Sequence, residues 1–260
     1  MNILVFIKRV PDTESRIRID REAKSIVEEG LNFVLSPYDE YALEEALRLR
    51  EAKGGKVTAV SFGPDEALST LRKALAMGAD EAVLIKDDLR EAYDPLRIAR
   101  VLAAFVRARQ ADADLILFGR MSVGSDNAAV PPMVAEMLGL PQATVVTKLE
   151  IGGQEAAACR EIEGALEKVA FRLPAVVSAQ KGLNEPRYET LKGIMAAKKK
   201  TVPVVTLAEL GLSGEEAVPR VEILGLELPA SKQAGKILPG TAEEAARELV
   251  RLLRNEAKAL

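Results

Sequence analysis

The sequence predicts an α/β fold: a parallel twisted sheet with helices on both faces, extended by antiparallel strands and followed by a C-terminal arm. Three observations carry that prediction. Apolar runs of strand length alternate with helix-period stretches four times between residues 3 and 138, the pattern of β–helix units that build parallel sheets. Glycine or proline marks each junction, at Gly54-Gly55, Gly63-Pro64, Asp94-Pro95 and Gly119, where helices stop or begin. From Gln142 to Gln180 the helical period disappears and extended pieces follow one another, as hairpins added to a sheet would.

Ile3 to Ile7 is a continuous apolar run, expected of a central parallel strand covered on both faces. Residues 8 to 35 are polar and suit a long loop with a small hairpin where Arg16-Ile17-Arg18-Ile19-Asp20 alternates. Ser36 is placed to cap a helix, with Pro37 at its first position where an N–H would be unpaired anyway. That helix runs to about Lys53 with Ala42, Ala46 and Leu49 inward. Lys56 to Phe62 is the next strand, and Gly63-Pro64 opens a helix to Met77-Gly78. Ala82 to Ile85 is the third strand; Asp94-Pro95 then caps a helix to Arg109. Leu115 to Phe118 is the fourth, and a loop from Gly119 to Val130 leads to a helix from Pro131-Pro132 to Leu138.

The extended pieces are Ala143 to Ile151, Ala156 to Ile162, Lys168 to Phe171 and Ala175 to Ala179. Pro203 to Leu210 leads into a short helix, and residues 211 to 240, with Pro219, Pro229 and Pro239, lack periodicity and read as an arm on a surface. Thr241 caps a last helix to about Leu253, with Glu243 and Glu244 well placed for its dipole. The expected division is therefore an α/β domain over 1–210 and an arm with a helix over 211–260.

Composition narrows the chemistry. With 36 Lys and Arg against 39 Asp and Glu, the net charge is −3, which offers no positive field for general nucleic-acid binding. MNILVFIKRV turns charged after Ile7, too soon for a signal peptide or a membrane span, and no later apolar run is long enough; the sequence reads as cytoplasmic. One cysteine, Cys159, forbids an internal disulfide and reads as a small hydrophobe. There is no histidine, which removes His-containing zinc sets and Ser-His-Asp triads together.

The loop Gly119 to Val130 is the best ligand candidate. It joins a strand end to a helix start, carries Gly119 and Gly124, and offers successive backbone N–H groups to an anion. Neither a P-loop nor a G-x-G-x-x-G string is present. Ligands of such sheets sit beyond the carboxyl ends of the strands, here Ile7-Lys8, Phe62-Gly63 and Gly119-Arg120. Adenylating enzymes of related architecture need a Ser-Gly-Gly loop after the first strand; Lys8-Arg9-Val10-Pro11 stands there instead. Glu161 alternates with Cys159 and Glu163 on one strand face, where a carboxylate is ordinarily just solvated. In Gly182 to Lys200, Pro186 marks a turn, and Leu191, Ile194 and Met195 follow at helical spacing before Lys198-Lys199-Lys200. Two turns of helix need a surface to pack on, with Ile194 and Met195 expected against this chain and Leu191 facing outward. The lysines suit a solvated face or the steering of an acidic partner.

These residues resemble a known family, the β subunit of electron transfer flavoprotein, over nearly the whole chain. The matching stretches are Ile7 to Val10, Ser36-Pro37-Tyr38-Asp39-Glu40, Ala74 to Asp80, Arg160 to Gly164 and Leu173 to Val177. The most specific is Leu183-Asn184-Glu185-Pro186-Arg187-Tyr188 with Ile194-Met195 and the lysines beyond. The resemblance implies a Rossmann-like, adenine-nucleotide-binding fold and a heterodimer whose α subunit supplies most of an FAD site. Electrons would arrive from acyl-CoA or other flavin dehydrogenases and leave, in many organisms, to electron transfer flavoprotein-quinone oxidoreductase; the protein would be a carrier with no turnover of its own.

It further implies a structural AMP in this subunit. By position its contacts fall on Phe6, on Ser36, Pro37, Tyr38 and Asp39, and on Phe62. The loop adds Gly124, Ser125, Asp126, Asn127, Ala128, Ala129 and Val130, with Met133 and Ala135 beyond it. Thr13, Tyr38 and Glu161 fall near the flavin, and Leu191, Ile194 and Met195 lie on a partner-recognition segment over 182–200. The arm and helix over 211–260 would pack on the partner subunit. Departures are Met121, Gly124-Ser125 and Ala128 to Pro132 where the family loop commonly carries Gln and Gly, and Thr13 in place of an aromatic. Two other readings stand beside this one: an electron-bifurcating form with a second FAD in the AMP site, and a stand-alone adenine-nucleotide-binding regulator like the universal stress proteins.

Overall fold

The computed structural model describes residues 1–22, 24–87, 94–230 and 235–260. Two compact units divide the chain, Met1–Leu226 and Glu227–Leu260. The first opens with β1 (Asn2–Phe6), β2 (Arg9–Pro11), β3 (Ile19–Asp20), β4 (Ser25–Ile26), β5 (Phe33–Leu35) and α1 (Pro37–Lys53). β6 (Lys56–Gly63), α2 (Leu68–Met77), β7 (Glu81–Lys86), α3 (Pro95–Arg109), β8 (Leu115–Gly119) and α4 (Val130–Leu138) complete the alternating part. β9 (Gln142–Gly152), β10 (Glu155–Ile162), β11 (Ala165–Arg172), β12 (Ala175–Ala179), α5 (Leu191–Lys199) and β13 (Val204–Val205) follow, and the second unit holds α6 (Ala242–Asn255).

The main sheet has the order β11-β10-β9-β12-β8-β1-β6-β7-β13. From β9 to β13 across this order every pairing is parallel, while β9, β10 and β11 form an antiparallel meander at one side. β1 shows why the apolar runs are continuous. Ile3 and Val5 join one core cluster with α1, α2 and α5, while Leu4 and Phe6 join another with α3 and α4. Both faces are covered, so successive side chains all need to be apolar.

The hairpins expected from the last extended pieces are present only in part. β12 leaves the meander and inserts between β9 and β8, parallel to both. β9 follows it through an irregularity at which Val145 adopts φ 60° and donates its N–H to Ser178 Oγ at 3.1 Å. The early hairpin is shorter than the alternation suggests: Ile19 and Asp20 pair with Ile26 and Ser25, and β2 pairs with β5.

Capping differs from end to end of the chain. Asp94 accepts from the N–H groups of Leu96 and Arg97, and Thr241 with Glu244 forms a capping box. Ser36 does not cap α1 with its side chain as expected. Its carbonyl already takes the Asp39 and Glu40 N–H groups, and the buried hydroxyl has no partner among the described residues. In the second unit α6 buries none of its residues; ion pairs Glu243–Arg247 and Glu248–Arg251 decorate it. Among the described residues, no helix is long and apolar enough to cross a membrane.

Candidate functional site

β1 leads to β6 and β7 on one side and is flanked by β8 on the other, so the strand order reverses at β1. A crevice opens at such a point beyond the strand carboxyl ends. Here it is a cavity walled by Phe6, Val60, Phe62 and Phe118 from the strands, with Ile98 and Leu102 from α3. Phe6 and Phe118 stack with centroids 4.9 Å apart. Ile98 and Leu102 stand four residues apart on one helix face, which aims both at the slot. The result is a narrow apolar space suited to a flat ring system.

One rim is polar. Asp39, in the first turn of α1, accepts hydrogen bonds from Lys8 N (2.8 Å) and Gly119 N (3.0 Å), pinning together the ends of β1 and β8. Burial pushes the Asp39 carboxyl up to about 7, against the two N–H donors that favour its charged form. Gly119 is required by the approach of α1, because a Cβ there would collide with Asp39 and the Tyr38 backbone. Lys8 donates from Nζ to Ser122 Oγ at 2.9 Å, and Ser122 Oγ lies 3.1 Å from Ser125 Oγ. Burial lowers the Lys8 pKa, and the nearby Asp39 charge works in the other direction.

The other rim is the loop before α4. Gly124, Asp126 and Ala128 all have positive φ, at 96°, 45° and 50°. Only the glycine adopts this conformation freely; the other two carry strain. Left-handed residues interspersed with ordinary ones curve the loop as in a concave anion site, and of its N–H groups that of Asp126 is taken by Ser122 O at 3.0 Å. The start of α4 adds few donors, because Pro131 and Pro132 have no N–H and the Ala129 N–H is taken by Asn127 Oδ1. A second cavity lies beyond, lined by Arg9, Thr13, Phe33 and Gly124, and shares Lys8, Phe62 and Ser125 with the first.

Of the nucleotide contacts expected from sequence, Phe6, Asp39, Phe62, Ser125 and Asn127 to Val130 line the first cavity. Gly124 lines the second. Ser36 lies buried beneath the α1 terminus, with Pro37 and Tyr38 half-buried above it. Asp126 is exposed, Met133 packs against the core beside α3, and Ala135 is fully buried in it. Thr13 is exposed on the second cavity. Glu161 is exposed near the end of β10 and accepts from Gln180 Nε2 at 2.9 Å. Glu163 lies beyond the strand, in the turn to β11, so it does not share a strand face with Glu161. Sequence reasoning missed Val60, Ile98, Leu102 and Phe118; the spacing of Ile98 and Leu102 was the available signal.

The segment over 182–200 is held on α1. Asn184 Nδ2 donates to Tyr41 O and Glu45 Oε2, both at 3.0 Å. Arg187 donates to Glu44 through Nε (2.8 Å) and a terminal nitrogen (2.9 Å), and to Glu51 at 2.6 and 3.1 Å. Hydrogen bonds donated to Glu51 and then to Glu44 raise the Arg187 pKa further above its ordinary value. Thr190 caps α5 through the Gly193 N–H. Gly193 touches the Ala76 carbonyl so closely that a Cβ would overlap it. Ile194 packs against the core and Ala197 is buried, while Leu191 is 84% exposed. Met195, expected beside Ile194, is 59% exposed instead. It stands four residues from Leu191, on the same outward face.

Comparison with known proteins gives a consistent result. A family model described as electron transfer flavoprotein domain matches residues 24–210. Electron transfer flavoprotein subunit beta of Bacillus subtilis (strain 168) is 47% identical, covering 100% of both chains. The protein of that name from Thermoanaerobacterium thermosaccharolyticum is 40% identical over 98% of each chain. The one from Homo sapiens is 38% identical over 90% of this chain and 91% of its own.

Proposed function

Because the chain belongs to the electron transfer flavoprotein family and matches its β subunits from end to end, we propose that it is the β half of a heterodimeric electron carrier. It has no substrate turnover of its own. An α subunit holds most of a shared FAD, which supplies the redox chemistry. Electrons come from acyl-CoA or other flavin dehydrogenases and pass to a respiratory-chain acceptor such as electron transfer flavoprotein-quinone oxidoreductase. The protein works in the cytoplasm, and residues 211–260 pack on the α subunit.

AMP is the ligand of the cavity at the ends of β1, β6 and β8, and that cavity is the observation that carries the reading. Its aromatic walls suit the adenine ring, and the loop over 124–130 suits a phosphate. The buried hydroxyls of Ser36 and Ser61 have no partner among the described residues. Ser61 lines the second cavity, where such an orphan suits a polar ligand that reaches from the first. Thr13, Tyr38 and Glu161 face the flavin, and Leu191 with Met195 meets the dehydrogenase while Ile194 holds their helix down.

A second reading is favoured by one feature. The two cavities share Lys8, Phe62 and Ser125, giving room for a ligand longer than AMP, such as a second FAD in an electron-bifurcating form. Co-expression with an α subunit, denaturation, and mass spectrometry of the released molecules tests both. One FAD and one AMP per heterodimer is the expected result. Two FAD molecules would establish the second reading, and an FAD-loaded chain without any α subunit would refute both.

A further inference from the structure

Lys8 is a cation held in a place where cations are costly. Its side chain lines the apolar slot and the adjoining cavity at the point where they meet. Among the described residues its ammonium makes no ion pair; its one hydrogen-bond acceptor is Ser122 Oγ at 2.9 Å. Asp39 is near, yet both its oxygens are engaged by backbone N–H groups, one of them from Lys8 itself. An ammonium has three donors and no acceptor, so most of its capacity remains unanswered here. Loss of water around a charge that bonds to no carboxylate is only partly offset by Asp39 nearby, and an anion arriving from the cavity relieves it.

The surroundings say what kind of anion. The Ser122 hydroxyl accepts from the ammonium, the Ser125 hydroxyl lies 3.1 Å beyond it, and the loop with left-handed Gly124, Asp126 and Ala128 continues from them. On the other side stand Phe6, Phe62 and Phe118. A ligand with a flat apolar body and a compact, multiply charged oxyanion attached matches this order of surfaces. A carboxylate would match the charge with two acceptors; a phosphate brings three oxygens to a site with an ammonium, two hydroxyls and backbone donors.

We propose that Lys8 is the charge reader of the nucleotide site: its ammonium swings from Ser122 onto the 5′-phosphate and makes the site select nucleotides over nucleosides. This rests on the nucleotide reading above and goes further in naming the group that discriminates. Ser122, backed by Ser125, holds the ammonium in the free protein, and both hydroxyls complete the phosphate shell with it. Arginine keeps the charge at this position, whereas glutamine removes it and keeps a donor.

Isothermal titration of the full chain with AMP and with adenosine tests the proposal in wild type, Lys8→Gln and Lys8→Arg, each checked for folding by circular dichroism. The wild type should prefer AMP by about ten- to hundredfold, the range of one charge-assisted hydrogen bond. Lys8→Gln should lose that preference through weaker AMP binding with adenosine unchanged, and Lys8→Arg should retain most of it. An unaltered AMP-to-adenosine ratio in Lys8→Gln would overturn the role of Lys8 and leave the nucleotide site standing. Failure of the wild type to bind either compound would overturn both. Should Lys8→Gln not fold, the Lys8→Arg and wild-type ratios still decide, because a wild type that binds adenosine as tightly as AMP has no charge reader.

Discussion

Two carboxylates on α1, Asp39 and Glu44, are both buried, and the molecule answers them in opposite ways. Asp39 faces the cavity and receives only backbone N–H groups, so its ionised form remains penalised and its pKa rises to about 7. Glu44, a turn and a half further along, receives the forked guanidinium of Arg187, the strongest geometry a carboxylate can be given. The cavity end of the helix is thus left electrostatically unsettled, and the end that carries the segment over 182–200, the docking end of the proposed function, is locked. Under the function proposed above, a site that accepts a polar ligand keeps groups in reserve, whereas a segment that presents Leu191 and Met195 to another protein gains from being fixed beforehand.

The largest effect expected from this contrast is a pH dependence. Asp39 titrates near 3.8 when unfolded and about 7 when folded. The fold therefore prefers the protonated carboxyl: the favourable contribution is complete below about pH 4 and is lost as pH rises through about 7. Asp39→Asn cannot titrate. The stability difference, wild type minus Asp39→Asn, should fall between pH 5 and 7 and level off above pH 8, with a change on the order of 3 kcal/mol. Urea denaturation at fixed pH values measures it, and a difference that grew with pH would show that Asp39 is stabilised as an anion.

At the locked end, Arg187→Ala strands Glu44, whose side chain is 6% exposed. Removing one partner of a buried pair costs more than the pair contributes. Because the Arg187 side chain itself is 33% exposed, solvent screening reduces the loss, to about 1–3 kcal/mol. The loss should be nearly absent in an Arg187→Ala, Glu44→Gln double variant. Equal losses in the single and double variants would mean that the pairing does not hold the segment.

How far the sequence disclosed this depends on the range of the interaction. The four β–helix units and the Asp94 and Thr241 caps were legible because periodicity and capping act within a few residues. The cavity was partly legible: Lys8, Phe62 and the loop after Gly119 follow from the rule that ligands sit at strand ends, and Phe6 comes from the family resemblance. Ile98 and Leu102 were not assigned to it, since a helix face shows that it is buried but not whether it meets core or ligand. The insertion of β12 beside β8 was hidden, because an apolar five-residue strand looks alike in a hairpin and in a parallel sheet. Arg187 was hidden too, its partners lying about 140 residues away. Glu44 and Glu51, seven apart and so on one face, were the only trace of it.

The smallest expected effect on stability is also the sharpest test of the docking end. Leu191 is exposed, so Leu191→Ala removes almost no buried area and should change stability by less than about 0.5 kcal/mol. Its consequence belongs to the partner. Leu191 with Met195 on the outward face of a held helix that also carries Lys192 and Lys198 fits the anatomy of an interface hot spot, an apolar anchor within a polar rim. Electron acceptance from a dehydrogenase should slow at least about tenfold for the reconstituted heterodimer, with flavin content unaltered. Met195→Ala, on the same face, should slow it less. Arg187→Ala should resemble Leu191→Ala in electron acceptance while differing in stability, because it frees the helix without touching the contact. Wild-type rates in Leu191→Ala would remove the docking role from this face, and wild-type rates in Arg187→Ala alone would show that the helix finds its partner without being held.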